Sequence, residues 1–307
     1  MNDVILTAQK IKKIEIQGAK AIAVASLFSL KKVSVGFKGS PAAYISKVNN
    51  DIKILSSARP TEPLTVNCLK YVSHQLFVNK RKDLKGLQSV LNNAVAYLLK
   101  TINDGEKKII STGERLIKKG NNLLTHCHSS TVEDILKKAY KRGRFKVFNT
   151  ETRPLFQGRI TAKNLTQAGL DVTMVEDSAA AFLLSGLSGK NLMMDLVIIG
   201  ADAIMPDGSA VNKIGSYGIS LAAHDENVPV YIAAHLLKMD DDGIIPIELR
   251  SSDEIWPSKP KGLKIINFAF DRIAAKNITG FICEFGLVKP KDLKKLVKKY
   301  YPWVLKK

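Results

Sequence analysis

The sequence predicts an α/β protein, with an N-terminal helical domain packed on a C-terminal domain built around a parallel sheet flanked by helices. Three observations predict it. Apolar residues recur at three- and four-residue spacing from Thr7 to about Lys119, as in "LQSVLNNAVAYLLKTI", the period of helices buried along one face. Beyond that point, short apolar runs alternate with helical patterns, the order that builds a parallel sheet covered on both faces. No long Gly/Ser linker separates the halves, so two packed domains, residues 1–119 and 120–307, are expected rather than two tethered ones.

In the first half, loops such as "SSARPTEP" interrupt the helical period. In the second, the runs "NLLTHC", "RFKVFN", "DVTMVE", "MDLVIIGAD" and "VPVYIAA" read as strands, and helices open at "SSTVEDIL", "ITAKNLTQAG", "SAAAFLLSG" and "NKIGSYGISLAAH". That alternation is Rossmann-like, and ligands of such sheets sit beyond the carboxyl ends of the strands. The loops after the apolar runs therefore carry the interest. Near the C-terminus, "KPKDLKKLVKKYY" interleaves lysines with Leu293, Leu296 and Val297 at helical spacing, the pattern of a solvated helix face.

The chain has 307 residues, 45% hydrophobic and 24% charged, enough for a sizeable core. Its formal charge of +19 attracts polyanions in general or reflects the lysine enrichment of proteins from hot environments. No RGG repeat, zinc-finger spacing or aromatic-basic ribonucleoprotein motif accompanies the charge, so nucleic acid is not an expected partner. No apolar run reaches the roughly 18 to 20 residues of a membrane span, and "MNDVILTAQKIKKIEIQGAK" lacks the sections of a signal peptide. Cys68, Cys127 and Cys283 are far apart, odd in number and without a C-x-x-C pair, which argues against a disulfide framework. A cytoplasmic setting is expected, with no membrane partner.

The loop "THCHSSTVEDIL" is the most loaded. Cys127 ends a strand in front of a helix whose N-cap is Ser129 or Ser130 and whose first turn holds Glu133, so N–H groups and the helix dipole favour a phosphate or a thiolate there. The alternative is a buried cysteine that packs as a small hydrophobe. Metal binding by His126, Cys127 and His128 is disfavoured, because adjacent strand residues point to opposite faces. Asp202, just after Gly200, faces a ligand across the sheet edge or caps a turn. Asp207 and Gly208 form turn chemistry. Asn212 and Lys213 open the next helix and place an amide and a cation at its N-terminus. His126, His128 and His235 are read as structural or supporting residues, and Cys68 and Cys283 as packing residues.

Taken together, "SSARPTEP", "THCHSS", "TETRPLFQG", "GADAI" and "NKIG", in this order and at this spacing, resemble the superfamily of initiation factor 2B regulatory subunits and sugar-phosphate isomerases, over nearly the whole chain. Within it the sequence is most similar to the archaeal ribose 1,5-bisphosphate isomerases, and the methylthioribose 1-phosphate isomerases share the cysteine and aspartate. The resemblance implies an aldose–ketose isomerase that converts ribose 1,5-bisphosphate to ribulose 1,5-bisphosphate with Cys127 and Asp202 as catalytic residues. The alternatives are a methylthioribose 1-phosphate isomerase and a non-catalytic initiation-factor-like subunit. Asp202, held protonated, donates to the ring oxygen as the furanose opens. Cys127, as thiolate, takes the C2 proton and returns it at C1, and a hydride shift is the other route. These roles call for an aspartate pKa raised by a dry site and a thiol pKa lowered from ~8.5 by the helix N-terminus.

The same resemblance assigns substrate binding to Gln17, Gly18, Ala19 and Lys20, to Arg59 and Arg153, whose guanidinium forks match phosphate, and to Ser129, Asn212 and Lys213. Gln17 stands where the family carries arginine, with Lys20 as the nearby cation. The implied partners are a phosphorylated sugar and further copies of the chain in a dimer or hexamer, and a nucleotide activator such as AMP is left open. No metal or organic cofactor is implied.

Overall fold

The protein is described here by a computed structural model covering residues 3–79, 83–241 and 248–305. It divides into two compact units, the first formed by Met1–Asp104, Leu237–Asp241 and Lys295–Lys307, the second by Gly105–Leu236 and Asp242–Lys294.

The first unit is helical. It contains α1 (Asp3–Lys12), α2 (Ala19–Val35), α3 (Pro41–Ser56), α4 (Pro63–Val78) and the start of α5 (Leu84–Gly113), whose last turns from Gly105 belong to the second unit. Ser40 caps α3 by accepting from the Ala43 N–H at 3.2 Å, and prolines stand in the first turns of α3 and α4, where a missing N–H costs nothing. "SSARPTEP" is the connection between α3 and α4 that its breakers predict. Ala8, Ile11, Ile22 and Ala58 form one apolar cluster, against which Ile16 and Ile54 pack. Asn67 on α4 donates to the carbonyls of Leu237 and Met239 at 2.8 and 2.7 Å, and Tyr71 packs on Trp303.

The second unit carries the strands β1 (Asn122–Thr125), β2 (Lys146–Thr150), β3 (Asp171–Val175), β4 (Leu196–Gly200), β5 (Ala203–Ile204), β6 (Ala210–Lys213), β7 (Val230–Ala233), β8 (Leu249–Arg250), β9 (Asn267–Phe268), β10 (Phe270–Ile273), β11 (Gly280–Cys283) and β12 (Gly286–Val288). Its helices are α6 (Ser130–Tyr140), α7 (Gln157–Gln167), α8 (Ala179–Leu184), α9 (Ser216–Asp225) and the first residues of α10 (Leu293–Tyr300). Seven strands form a sheet in the order β12-β11-β7-β4-β1-β2-β3, parallel except for β12. Successive residues of the central strands, Leu123 with Leu124 and Val197 with Ile198, are all buried, the mark of a parallel sheet covered on both faces. Leu123, Val147, Ile198 and Ile282 share a core with Val132, Ile135 and Leu136 of α6 and Leu165 of α7. The five apolar runs are all strands here, as their pattern predicts.

Two features depart from the sequence reading. Asn212 and Lys213 do not open a helix: they end β6, which pairs antiparallel with β5 and with the distant β10, where Phe270 opposes Lys213. The helix begins only at Ser216, after Gly215 turns the chain with φ 106°, a conformation that favours glycine. The second departure is the three-stranded sheet β10-β6-β5 itself, whose partner strand lies too far along the chain for local periodicity to reveal. Among the described residues no helix is long and apolar enough to cross a membrane.

Candidate active site

In the sheet order, β1 lies between β4 and β2, while the chain runs outward from β1 through β2 to β3 before returning to β4. The direction of winding therefore reverses between β1 and β4, and the crevice beyond their carboxyl ends is where such sheets hold ligands. Cys127 follows β1, and Asp202 follows β4. The two loops approach closely, since an added Cβ on Gly200 would lie 2.9 Å from the Ser129 hydroxyl. Ser129 caps α6, its hydroxyl accepting from the Val132 N–H at 3.4 Å, so this helix N-terminus opens beside the end of β4.

Cys127 has φ 66°, Thr152 φ 61° and Phe156 φ 56°. Left-handed backbone at a non-glycine residue costs on the order of 1–3 kcal/mol and persists only where the surroundings hold it. Here they do. The Cys127 N–H donates to Thr152 Oγ1 at 3.0 Å, and the Thr161 hydroxyl of α7 donates to the Cys127 carbonyl at 3.0 Å. Asp177, after β3, accepts from the Thr152 and Arg153 N–H groups at 2.8 and 2.7 Å. His128 lies 2.9 Å from Glu133, whose carboxyl is held below its usual range because hydrogen bonds from His128, Asn164 and Lys137 outweigh the opposing desolvation.

Although Cys127 is only half-buried as a residue, desolvation of its thiol pushes it up to about 12, with Lys213 pulling down and Asp202 and Asp177 pushing further up. This is the opposite of the lowered thiol that a helix N-terminus alone predicts. The dipole argument counts one favourable field and omits two nearby carboxylates and the loss of water. The same charges show that Lys213, Asp202 and Asp177 lie within electrostatic reach of the thiol.

Asp202 is half-buried, and its N–H donates to the Val211 carbonyl at 2.9 Å. Lys213 is buried, its ammonium 5.0 Å from the centre of the Phe270 ring. Asn212, also buried, turns its amide onto the Ser216 hydroxyl at 2.8 Å. Arg153 is exposed, with its guanidinium 5.0 Å from the Phe156 ring centre. Asp207 accepts from the Ser209 N–H at 3.0 Å, and Gly208 has φ 83°, the turn expected of them.

In the first unit, Gly18 is the N-cap of α2 with φ 84° and ψ 134°, and Ala19 and Lys20 form its first turn. No side chain caps this helix, so its leading N–H groups point outward in the way that suits a phosphate. Gln17 donates its amide to Ile14 at 2.9 Å. Arg59 lies 3.6 Å from Glu62, a local ion pair. Ile16 and Ile22 pack with Ala58, so the Gln17–Lys20 and Arg59 segments are neighbours.

Sequence reasoning missed Thr161 and the joint role of Thr150 and Thr152. "NTETRP" marked a loaded loop, but nothing in a helical "ITAKNL" distinguishes a threonine that will meet a cysteine from one that faces water.

The Initiation factor 2 subunit family matches residues 15–290. The ribose 1,5-bisphosphate isomerase of Methanocaldococcus jannaschii is 37% identical over 98% of this chain and 96% of its own. The methylthioribose-1-phosphate isomerase of Heliobacterium modesticaldum is 32% identical, covering 96% of this chain and 90% of that one. The crystal structure of 5-methylthioribose 1-phosphate isomerase from Pyrococcus horikoshii superposes with a TM-score of 0.78 at 26% identity, over 98% of this chain and 88% of that one. With agreement running through both its sequence and its sheet, the chain belongs to the Initiation factor 2 subunit family.

Proposed function

We propose that the protein is a sugar-phosphate aldose–ketose isomerase converting ribose 1,5-bisphosphate to ribulose 1,5-bisphosphate. The observation that carries this reading is the placement of Cys127 and Asp202 on the two loops that flank the winding reversal, around a buried Lys213. The ribose 1,5-bisphosphate isomerase of M. jannaschii, 37% identical, supports it.

A sugar phosphorylated at C1 has a masked aldehyde, so the ring must open before an enediol forms. Asp202 as the carboxylic acid donates its proton to the ring oxygen as the C1–O4 bond breaks. Cys127 as thiolate then takes the C2 proton and returns it at C1 while the Asp202 carboxylate takes the proton of the C2 hydroxyl, giving the 2-ketose and restoring the carboxylic acid. In the unliganded protein the thiol is neutral at pH 7. Passing its proton to Asp202 creates, in one step, the thiolate and the carboxylic acid that this sequence needs, with the Lys213 charge favouring the thiolate. Ser129 with the α6 N-terminus, Asn212, Lys213 and Arg153 bind substrate in the second unit. In the first, the α2 N-terminus at Gln17–Lys20 and Arg59 bind phosphate.

A methylthioribose 1-phosphate isomerase is the second reading, supported by the 32% identical methylthioribose-1-phosphate isomerase of H. modesticaldum, and Gln17 does not decide between the two. The test supplies each sugar phosphate in turn, with AMP as a candidate activator, and follows ketose formation by NMR. The expected outcome is turnover of the bisphosphate, reduced at least about 1,000-fold by Cys127→Ser and by Asp202→Asn. No turnover of either sugar by the folded protein would leave a non-catalytic regulatory subunit as the better account.

A further inference from the structure

Between the loop after β1 and the turn before α9 runs a chain of hydrogen bonds that the proposed chemistry does not use. It starts at Cys127, whose N–H donates to Thr152 Oγ1 at 3.0 Å. The hydroxyls of Thr152 and Thr150 lie 3.3 Å apart, and Thr150 Oγ1 is 2.6 Å from His126 Nδ1. On the far side of the ring, His126 Nε2 is 2.9 Å from the Ile214 carbonyl oxygen.

A carbonyl only accepts, so Nε2 carries the ring proton and Nδ1 accepts from the Thr150 hydroxyl. Thr150 in turn accepts from Thr152, which accepts from the Cys127 N–H. Each link then has a donor and an acceptor, with the Thr150 carbonyl at 3.5 Å as a second acceptor for the Thr152 hydroxyl, and the polarity of the chain is set by the two backbone groups at its ends. The ring is neutral in this arrangement. Desolvation lowers its pKa, and Lys213 adds to that, against Asp177 and the backbone carbonyls of Ile214 and Lys213. His126 is 2% exposed. The ring also fills the space beside Gly215, where an added Cβ would lie 3.2 Å from its Cε1.

We propose that His126 is a positioning residue: its neutral Nε2–H tautomer ties the strained Cys127 turn to the Lys213–Gly215 turn and keeps the Cys127 thiol in register with the Lys213 ammonium. The proposal rests on the reading of Cys127 as the base. It adds that the reactivity of this thiol depends on a residue that never touches the substrate. The charged groups around the thiol are Lys213, Asp202 and Asp177, and those around the ring are Asp177 and Lys213.

The two ring nitrogens can be tested separately. Asparagine places an acceptor near the position of Nδ1 and loses the bond to Ile214, whereas glutamine places a donor near Nε2 and keeps it. The readout is alkylation of Cys127 by iodoacetamide, followed by peptide mapping, with the buried Cys68 and Cys283 as internal controls. At pH 8 His126→Asn is expected to slow alkylation about tenfold, equivalent to a rise of about one unit in the thiol pKa. His126→Gln is expected to stay within about twofold of wild type. In the isomerase assay, His126→Asn lowers kcat and leaves KM unchanged.

Two folded variants that both alkylate at the wild-type rate, or that are slowed equally, would overturn the proposal. If His126→Asn does not fold, His126→Leu decides. It fills the space of the ring without a bond to Ile214, so a several-fold slowing relative to His126→Gln supports the proposal and a rate equal to that of His126→Gln overturns it. Alkylation is read without any sugar present, so a failure of the isomerase reading in the turnover assay is distinguishable from a failure here.

Discussion

At the scale of single residues, the loop after β2 depends on one missing side chain. Gly158, the second residue of α7, lies so close to that loop that an added Cβ would sit 1.8 Å from the Thr150 carbonyl oxygen and 2.9 Å from the Glu151 carbonyl. Those neighbours are backbone and cannot swing aside. Gly158 also donates its N–H to Glu151 and accepts from the Asn149 amide at 2.7 Å. Gly158→Ala is therefore expected to destabilise the protein by about 3 kcal/mol or more. A melting curve checks this, and a variant as stable as wild type would show that α7 is free to retreat. Cys127 illustrates the complementary point, that a residue of ordinary type acquires an unusual property from neighbours that the fold supplies.

Among the elements, α9 is started by a strand rather than by its own N-cap. Gly215 has no side chain to offer, and Asp271 of β10 accepts from the Gly215 and Tyr217 N–H groups at 2.7 and 3.1 Å. Burial pushes the Asp271 carboxyl up to about 6, against the pull of those two N–H groups. A folded-state pKa above the unfolded one means that the native protein binds the proton more tightly. The ionised carboxylate then costs stability fully above pH 6, and the cost fades as pH falls toward the unfolded value near 3.8. Its size is on the order of 3 kcal/mol. Asp271→Asn keeps an acceptor for the helix and removes the titration. Relative to wild type, it should be more stable at pH 7 and lose about two thirds of that advantage by pH 4.5, as compared by denaturant melts at both values. An advantage that does not change with pH would show that the carboxyl is not perturbed.

At the scale of the whole molecule, the second unit exposes several large apolar side chains. β3 is the edge strand of the main sheet, with Met174 45% exposed, and Phe182 of α8 and Tyr217 and Leu221 of α9 are exposed at 54%, 46% and 44%. α8 and α9 pack on each other, so Phe182 and Leu221 belong to adjoining surfaces. Unpaired strand edges and apolar faces of this kind are covered in stable proteins, and we propose a second copy of the chain as the cover. Light scattering behind a sizing column is expected to give at least a dimer, and Phe182→Asp is expected to weaken self-association at least about tenfold. A wild type that stays monomeric at high micromolar concentration would refute this.

Helix and strand were legible wherever a local period expressed them. Leu123–Leu124 and Leu196–Ile199 announce buried strands, Ser129 with Glu133 announces a helix start, and α10 shows its buried Leu293 and Val297 between exposed lysines. These are contacts between residues a few positions apart, and the chain order contains them. The order of loaded loops was legible too, because strand ends in a parallel sheet converge on one edge. What the linear order did not contain is the meeting of distant segments: β6 with β10, Thr161 with Cys127, His126 with Ile214. Asn212 and Lys213 looked like a helix start because their strand partner lies far along the chain. The thiol looked activated because a helix N-terminus is a local feature, whereas its desolvation and the nearby carboxylates are set by packing. Periodicity determines which residues turn inward; only tertiary contact determines how much water and which charges each of them meets there.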